Sequence, residues 1–207
     1  MPDFLKNNWN NLTNDLPHIK NEYYQELIKL YNSKNRFYHN LNHIEVLLKL
    51  SDEYKHLLNS QKAIDFTIWY HDAIYDGSKN NNEQKSAELA KLHLTQLGLS
   101  EQLVENCYKL IIATKTHTLN KSLNYFDAQF LLDIDLSILA TERKQYIEYT
   151  QQIRKEYKMY PDFLYRKGRK KLLKHFLEME NIYKTQLFQN RWEEKAKENI
   201  NYELELL

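Results

Sequence analysis

Two imidazoles and two carboxylates, at His43, His71, Asp72 and Asp135, are the side chains of this sequence best placed to share a cation. His71 and Asp72 stand inside Ile68-Trp69-Tyr70-His71-Asp72-Ala73-Ile74-Tyr75, an otherwise apolar and aromatic run. Burying an ionisable pair among such neighbours is costly unless the pair is partnered, and a metal cation is one such partner. The dipeptide alone carries little weight, because with 8 His and 10 Asp in 207 residues chance supplies about 0.4 such pairs. Context adds the rest. His43 opens an amphipathic segment 28 residues before His71, and Asp135 lies in a second apolar run 63 residues after Asp72. Mixed nitrogen and oxygen donors suit Mn, Fe, Zn, Co, Ni or, less comfortably, Mg, and a set of this size leaves positions for water and substrate, as catalytic sites do.

The elements that position these groups read as helices. Only 3 Gly and 3 Pro leave few turns or bulges for a sheet, while Leu, Lys, Glu and Gln favour helices, so the expected class is all-α. Amphipathic helices are expected over 4–16 and 20–32, separated by Pro17. The polar, aromatic-flanked stretch 35–43 leads into a helix with Ile44, Leu47, Leu48, Ser51, Tyr54 and Leu58 on its inner face. Residues 62–75 are apolar nearly all round, which predicts a central helix ended by Asp76-Gly77. Further helices are expected from Asn82 to Leu97-Gly98, from Ser100 to His117 and across 124–139. Two or three more follow Thr141, one starting at Pro161-Asp162 and the last containing Arg191-Trp192. Asp133 and Asp135 point to different faces of their helix, so one looks inward and the other finds solvent or a cap; Asp135 is the expected inward one. Residues 1–207 are read as one domain, with a core over about 23–140 and a helical extension over about 141–207.

Composition excludes some functions. A net charge of +1 gives no global field for a nucleic-acid polymer or an anionic lipid surface, although a local patch is compatible with it. No window approaches the roughly 18 apolar residues of a membrane span. One cysteine, Cys107, forms no internal disulfide, and the N-terminal residues lack a signal-peptide core, so the expected compartment is a reducing cytoplasm. His39 and His43 stand four apart as in a zinc-protease helix, but Asn40 replaces the general-base Glu that such a motif needs. The run Arg166 to Lys174, with six basic residues, reads as a solvated helix face before it reads as a phosphate-binding patch.

The order of residues resembles the HD-domain superfamily of metal-dependent phosphohydrolases. Its words are Arg36-x-Tyr38-His39-Asn40-x-x-His43, His71-Asp72-x-x-Tyr75-Asp76, Asn82-Glu83-x-x-Ser86-Ala87, Thr114-Lys115-x-His117 and Asp133-x-Asp135-Leu136. These resemble a bacterial branch described only as a predicted HD-superfamily hydrolase. Arg154-x-Glu156-Tyr157, Gly168-Arg169 and Arg191-Trp192-Glu193 extend the likeness over most of the chain. The resemblance implies a helical bundle in which His43, His71, Asp72 and Asp135 ligate one divalent cation (Mn, Mg, Co, Ni, Zn or Fe), and a metal-activated water that attacks phosphorus. The substrate it implies is a small phosphorylated molecule, with nucleotides the first class to consider.

Around that set, Asp76 and Glu83 are candidates for general base or acid, though they read equally as a turn residue and a carboxylate favoured by a helix dipole. Lys115 and His117 are candidates for contacting phosphate; Arg36, Arg166 and Arg169 are weaker ones, equally readable as surface charges. Two-metal members of the superfamily place two further histidines between the His-Asp pair and the last Asp, where this sequence has His93 and His117. His93, flanked by Lys91, Thr95 and Gln96, reads as a surface imidazole, and one metal is favoured over two. Two other functions compete: a di-iron oxygenase, which requires the second metal, and a non-catalytic, metal-stabilised or ligand-sensing module. The sequence does not define the oligomeric state.

Overall fold

A computed structural model describes residues 2–119 and 125–207, and among these the chain is all-α, with ten helices, two short 3-10 turns and no strand. The helices are α1 (Pro2–Leu12), α2 (Lys20–Tyr31), α3 (Leu41–Glu53), α4 (Gln61–Tyr70), α5 (Asn82–Gln96), α6 (Glu101–Thr114), α7 (Phe126–Asp135), α8 (Arg143–Glu156), α9 (Asp162–Glu178) and α10 (Gln186–Leu206). They form two compact units, Met1–Leu131 and Leu132–Leu207, divided within α7. The start of the helix expected at Asn124 lies outside the described residues.

In the first unit α4 is the central element. Every residue from Ala63 to Tyr70 is buried, because apolar side chains on all faces leave no side that water can cover without loss. α3, α5 and α6 pack around it. Trp9 of α1 meets Trp69 edge-to-face at 5.4 Å between ring centres, and the Tyr31 hydroxyl of α2 donates to the Trp69 carbonyl at 3.1 Å. Cys107 of α6 lies buried against the Ala63 carbonyl, and burial pushes its thiol up to about 12. One carboxyl is enclosed as well: Asp65 accepts from Ser51 Oγ and from Asn8 Nδ2, and desolvation raises it to about 6.

Several boundaries differ from the sequence reading for local reasons. α1 stops at Leu12 rather than 16, since Thr13 Oγ1 turns back to the Trp9 carbonyl and the Lys20 ammonium takes the carbonyls of Thr13 and Asn14. α5 ends as expected at its glycine: Gly98, at φ +77, donates to Thr95 and Leu99 donates to Leu94, closing the helix in a left-handed cap. α6 ends at Thr114, not at His117, whose own φ is +50. α4 ends at Tyr70, five residues before the expected stop, with consequences for the site.

The second unit holds α8, α9, α10 and the 3-10 turn Ser137–Ala140. Its core contains a polar network in which Arg169 donates twice to Glu203, at 2.8 and 3.0 Å, and Tyr146 donates to the same carboxylate at 2.6 Å. Arg169 is therefore a buried ion-paired side chain, not a surface charge. Arg166, by contrast, is exposed and donates to the Leu207 carbonyl.

Candidate metal centre

The His-Asp pair does not lie within a helix. His71 is the C-cap residue of α4, still donating its amide to Thr67, and the chain then leaves the helical path. The backbone groups released there are taken by side chains from two other segments. Arg36 sends Nη1 to the carbonyls of Asp72 (2.6 Å) and His39 (3.0 Å) and Nη2 to that of Ala73 (2.6 Å). Ser86 of α5 receives the Ile74 amide at 3.0 Å and returns its hydroxyl to the Ile74 carbonyl. The Asn82 amide clamps Asp76 in the same way, accepting from its N–H and donating to its carbonyl at 3.1 and 3.0 Å. The turn carrying Asp72 is thus held from α3's approach on one side and from the first turn of α5 on the other.

His43 arrives from α3. Asn40 caps that helix, with Oδ1 accepting from the Asn42 amide and Nδ2 donating to the Phe37 carbonyl, so His43 falls in the first turn. Its ring faces the end of α4. His71 Nε2 lies 3.3 Å from His43 Nε2 and 3.2 Å from Asp72 Oδ2, and the third separation, His43 Nε2 to Asp72 Oδ2, is 4.0 Å. The point equidistant from these three atoms lies about 2.1 Å from each, the length of a bond from imidazole nitrogen or carboxylate oxygen to a small divalent cation. His71 Nδ1 sits 2.8 Å from the Ile68 carbonyl, which only accepts; Nδ1 therefore carries the proton and the Nε2 lone pair turns toward the group. The two imidazoles are buried while Asp72 is 17% exposed, leaving the group approachable from the carboxylate side. Among the described residues, His43, His71 and Asp72 are a set able to hold a metal ion.

Other expected residues fall elsewhere. His39 is half-buried and stacks on Tyr75 at 4.2 Å, with its ring centre 6.2 Å from that of His43. His93 is not a surface imidazole. It is buried, stacked on Tyr23 at 3.8 Å, with Nδ1 3.2 Å from the Tyr70 hydroxyl and Nε2 3.5 Å from Glu26; Leu94 and Ala90 beside it turn that face of α5 inward. Burial holds its pKa below the ordinary histidine value, against the pull of Glu26. Asp76 is exposed, and the Ser78 amide and hydroxyl both donate to its Oδ1, which keeps its carboxyl below the usual range. Glu83 is half-buried in the first turn of α5. Lys115 donates Nζ to the Asn80 carbonyl, and His117 lies past the end of α6, half-buried.

Asp133 and Asp135 of α7 divide differently from expectation. Asp133 is the deeper, fully buried, and accepts from the amides of Lys184 and Thr185 and from the Thr185 hydroxyl. Both of its oxygens are thereby committed to the N-terminus of α10, where desolvation still raises it to about 6. Asp135, half-buried, ends α7 in the second unit.

Sequence reasoning missed the positioning roles of Arg36, Asn82 and Ser86. Arg36 is buried rather than a surface charge, and lies over the Tyr31 ring at 4.8 Å. The signal was present in the aromatic neighbours of Arg36, but two of the three carbonyls it serves are 36 and 37 positions away. Comparison of this chain with protein-family models, with curated proteins and with solved structures finds no match.

Proposed function

We propose that this chain is an HD-type, metal-dependent phosphohydrolase acting on a small phosphorylated molecule, with nucleotides as the first substrate class. The observation that carries the reading is the convergence of His43 Nε2, His71 Nε2 and Asp72 Oδ2 on one point at coordination distance. His43, His71 and Asp72 would hold a divalent cation there, whose chemistry would be to lower the pKa of water and offset charge on phosphoryl oxygens. The chain's own contribution is orientation. The Ile68 carbonyl fixes the His71 tautomer, Arg36 fixes the backbone of Asp72, and the Asn40 cap sets the rotation of His43. Asp135 is the fourth ligand implied by the resemblance; Asp133, occupied at the start of α10, is not available for that role.

The test compares wild-type protein with Asp72→Ala and Asp135→Asn against nucleoside mono-, di- and triphosphates and an aryl phosphate, each with Mn²⁺, Mg²⁺ or Co²⁺. Metal-dependent phosphate release by wild type, lost in Asp72→Ala, is the expected result. No release above that variant with any substrate refutes the hydrolase. Release retained in Asp135→Asn removes Asp135 from the ligand set. One metal per chain is favoured, because the His93 ring is taken up by Tyr23, Tyr70 and Glu26.

A further inference from the structure

The near-neutral total charge is unevenly distributed along the chain. α9 carries six basic residues against Asp162 and Glu178, a net +4, while the whole chain is +1, so everything outside α9 sums to −3. Of these seventeen residues only Arg169, Leu173 and Phe176 are buried. At 100° per residue, Phe163, Leu164, Lys167, Lys171 and Lys174 all fall on the opposite face. Phe163 is 70% exposed and Leu164 46%, and Met159 just ahead of the helix is 48%. The Arg166 contact with the Leu207 carbonyl brings the end of α10 alongside, where Leu206 is 62% exposed.

Exposed lysines alone need no partner. Large apolar side chains grouped at the head of the same face do, since taking their exposed area from water is favourable. A purely polyanionic partner would satisfy the lysines and leave Leu164, Met159 and Leu206 in water. A lipid interface takes both: acyl and glycerol regions receive apolar tips while anionic headgroups pair with the flanking cations. No described helix is long and apolar enough to cross a membrane, so the contact is superficial.

We propose that the outer face of α9 is a peripheral docking surface for an anionic lipid membrane, with Phe163 and Leu164 entering the headgroup layer and Lys167, Lys171 and Lys174 pairing with its anionic groups. This goes beyond the phosphohydrolase reading and does not depend on it.

Cosedimentation of the whole protein with phosphatidylcholine vesicles, with and without phosphatidylserine, tests it. Binding is expected to the phosphatidylserine vesicles alone and to fall as salt is raised. Lys167→Gln with Lys171→Gln should weaken binding about 25-fold, roughly fivefold for each cation removed. Phe163→Ser with Leu164→Ser should weaken it further while helical content and melting temperature hold, because both side chains are exposed. Four results overturn the proposal: no binding to phosphatidylserine vesicles, equal binding to neutral ones, binding unchanged in both double variants, or capture of an RNA oligonucleotide through these lysines without vesicle binding.

Discussion

Arg36→Gln isolates the proposition that one guanidinium sets the geometry of the centre. Its two terminal nitrogens serve three carbonyls, of His39, Asp72 and Ala73, at 3.0, 2.6 and 2.6 Å. Hydrogen bonds from a charged donor each contribute about 1.5–3 kcal/mol, whereas a buried carbonyl left without a donor costs about 1–3. Glutamine reaches at most one of the three, so two are lost; the charge no longer has to be desolvated, which returns part of that loss. The net expectation is about 3 kcal/mol of stability, read as a lower urea midpoint with an unchanged slope. The sharper readout is Mn²⁺ affinity by titration calorimetry, made where the variant is fully folded. With the Asp72 carbonyl released, the carboxylate no longer points from a fixed backbone, and affinity should fall about 10- to 100-fold, as for losses of other groups that orient metal ligands. Arg36→Lys, which keeps the charge but not the fork, should restore part of the stability and little of the affinity. A variant that unfolds at the wild-type midpoint and binds Mn²⁺ equally well would refute the reasoning.

Three further outcomes are expected. Saturating Mn²⁺ should raise the stability of wild type by about 2.7 kcal/mol at 100 times its dissociation constant, and chelator should reverse this; His43→Ala, His71→Ala and Asp72→Ala should show no such rise in a thermal melt. Asp65, raised by burial to about 6, binds a proton in the folded chain at pH values where the unfolded chain has released it. Its stabilising contribution is therefore full below about pH 4 and is lost as pH rises through 6, a change of about 3 kcal/mol; urea midpoints of Asp65→Asn between pH 4 and 7 should lack that component, and a slope equal to wild type would exclude it. His93→Ala should cost about 2–4 kcal/mol for the emptied space beside Tyr23 yet leave Mn²⁺ affinity unchanged; a loss of affinity in folded protein would return His93 to the metal set.

The parts of this molecule legible in the sequence are those carried by short-range pattern. Apolar residues on every side of 63–70 identified the central helix, and Gly98 marked a helix end that its positive φ explains. The spacing of His43 from His71-Asp72 pointed to a group that does converge. Where the reading failed, a distant side chain had overridden local preference. α4 looked continuous to Tyr75 because nothing within it breaks a helix; it stops because Arg36, Ser86 and Asn82 capture the backbone beyond His71. His93 looked exposed because its polar neighbours in sequence point outward, while Tyr23, which covers it, is seventy positions earlier. Asp133 was passed over because its partners, the amides of Lys184 and Thr185, cannot be recognised in a pattern of side chains.

Cys107, on α6 and sealed against α4, gives the molecule an internal clock. Its thiol is buried and its pKa is pushed up to about 12, so a thiol-specific reagent finds almost no thiolate in the closed state. Modification must wait for α6 to part from α4, and its rate then counts those openings. His71 caps the far end of the same helix, so labelling slowed by added Mn²⁺ would tie this joint to occupancy of the site with no substrate in hand.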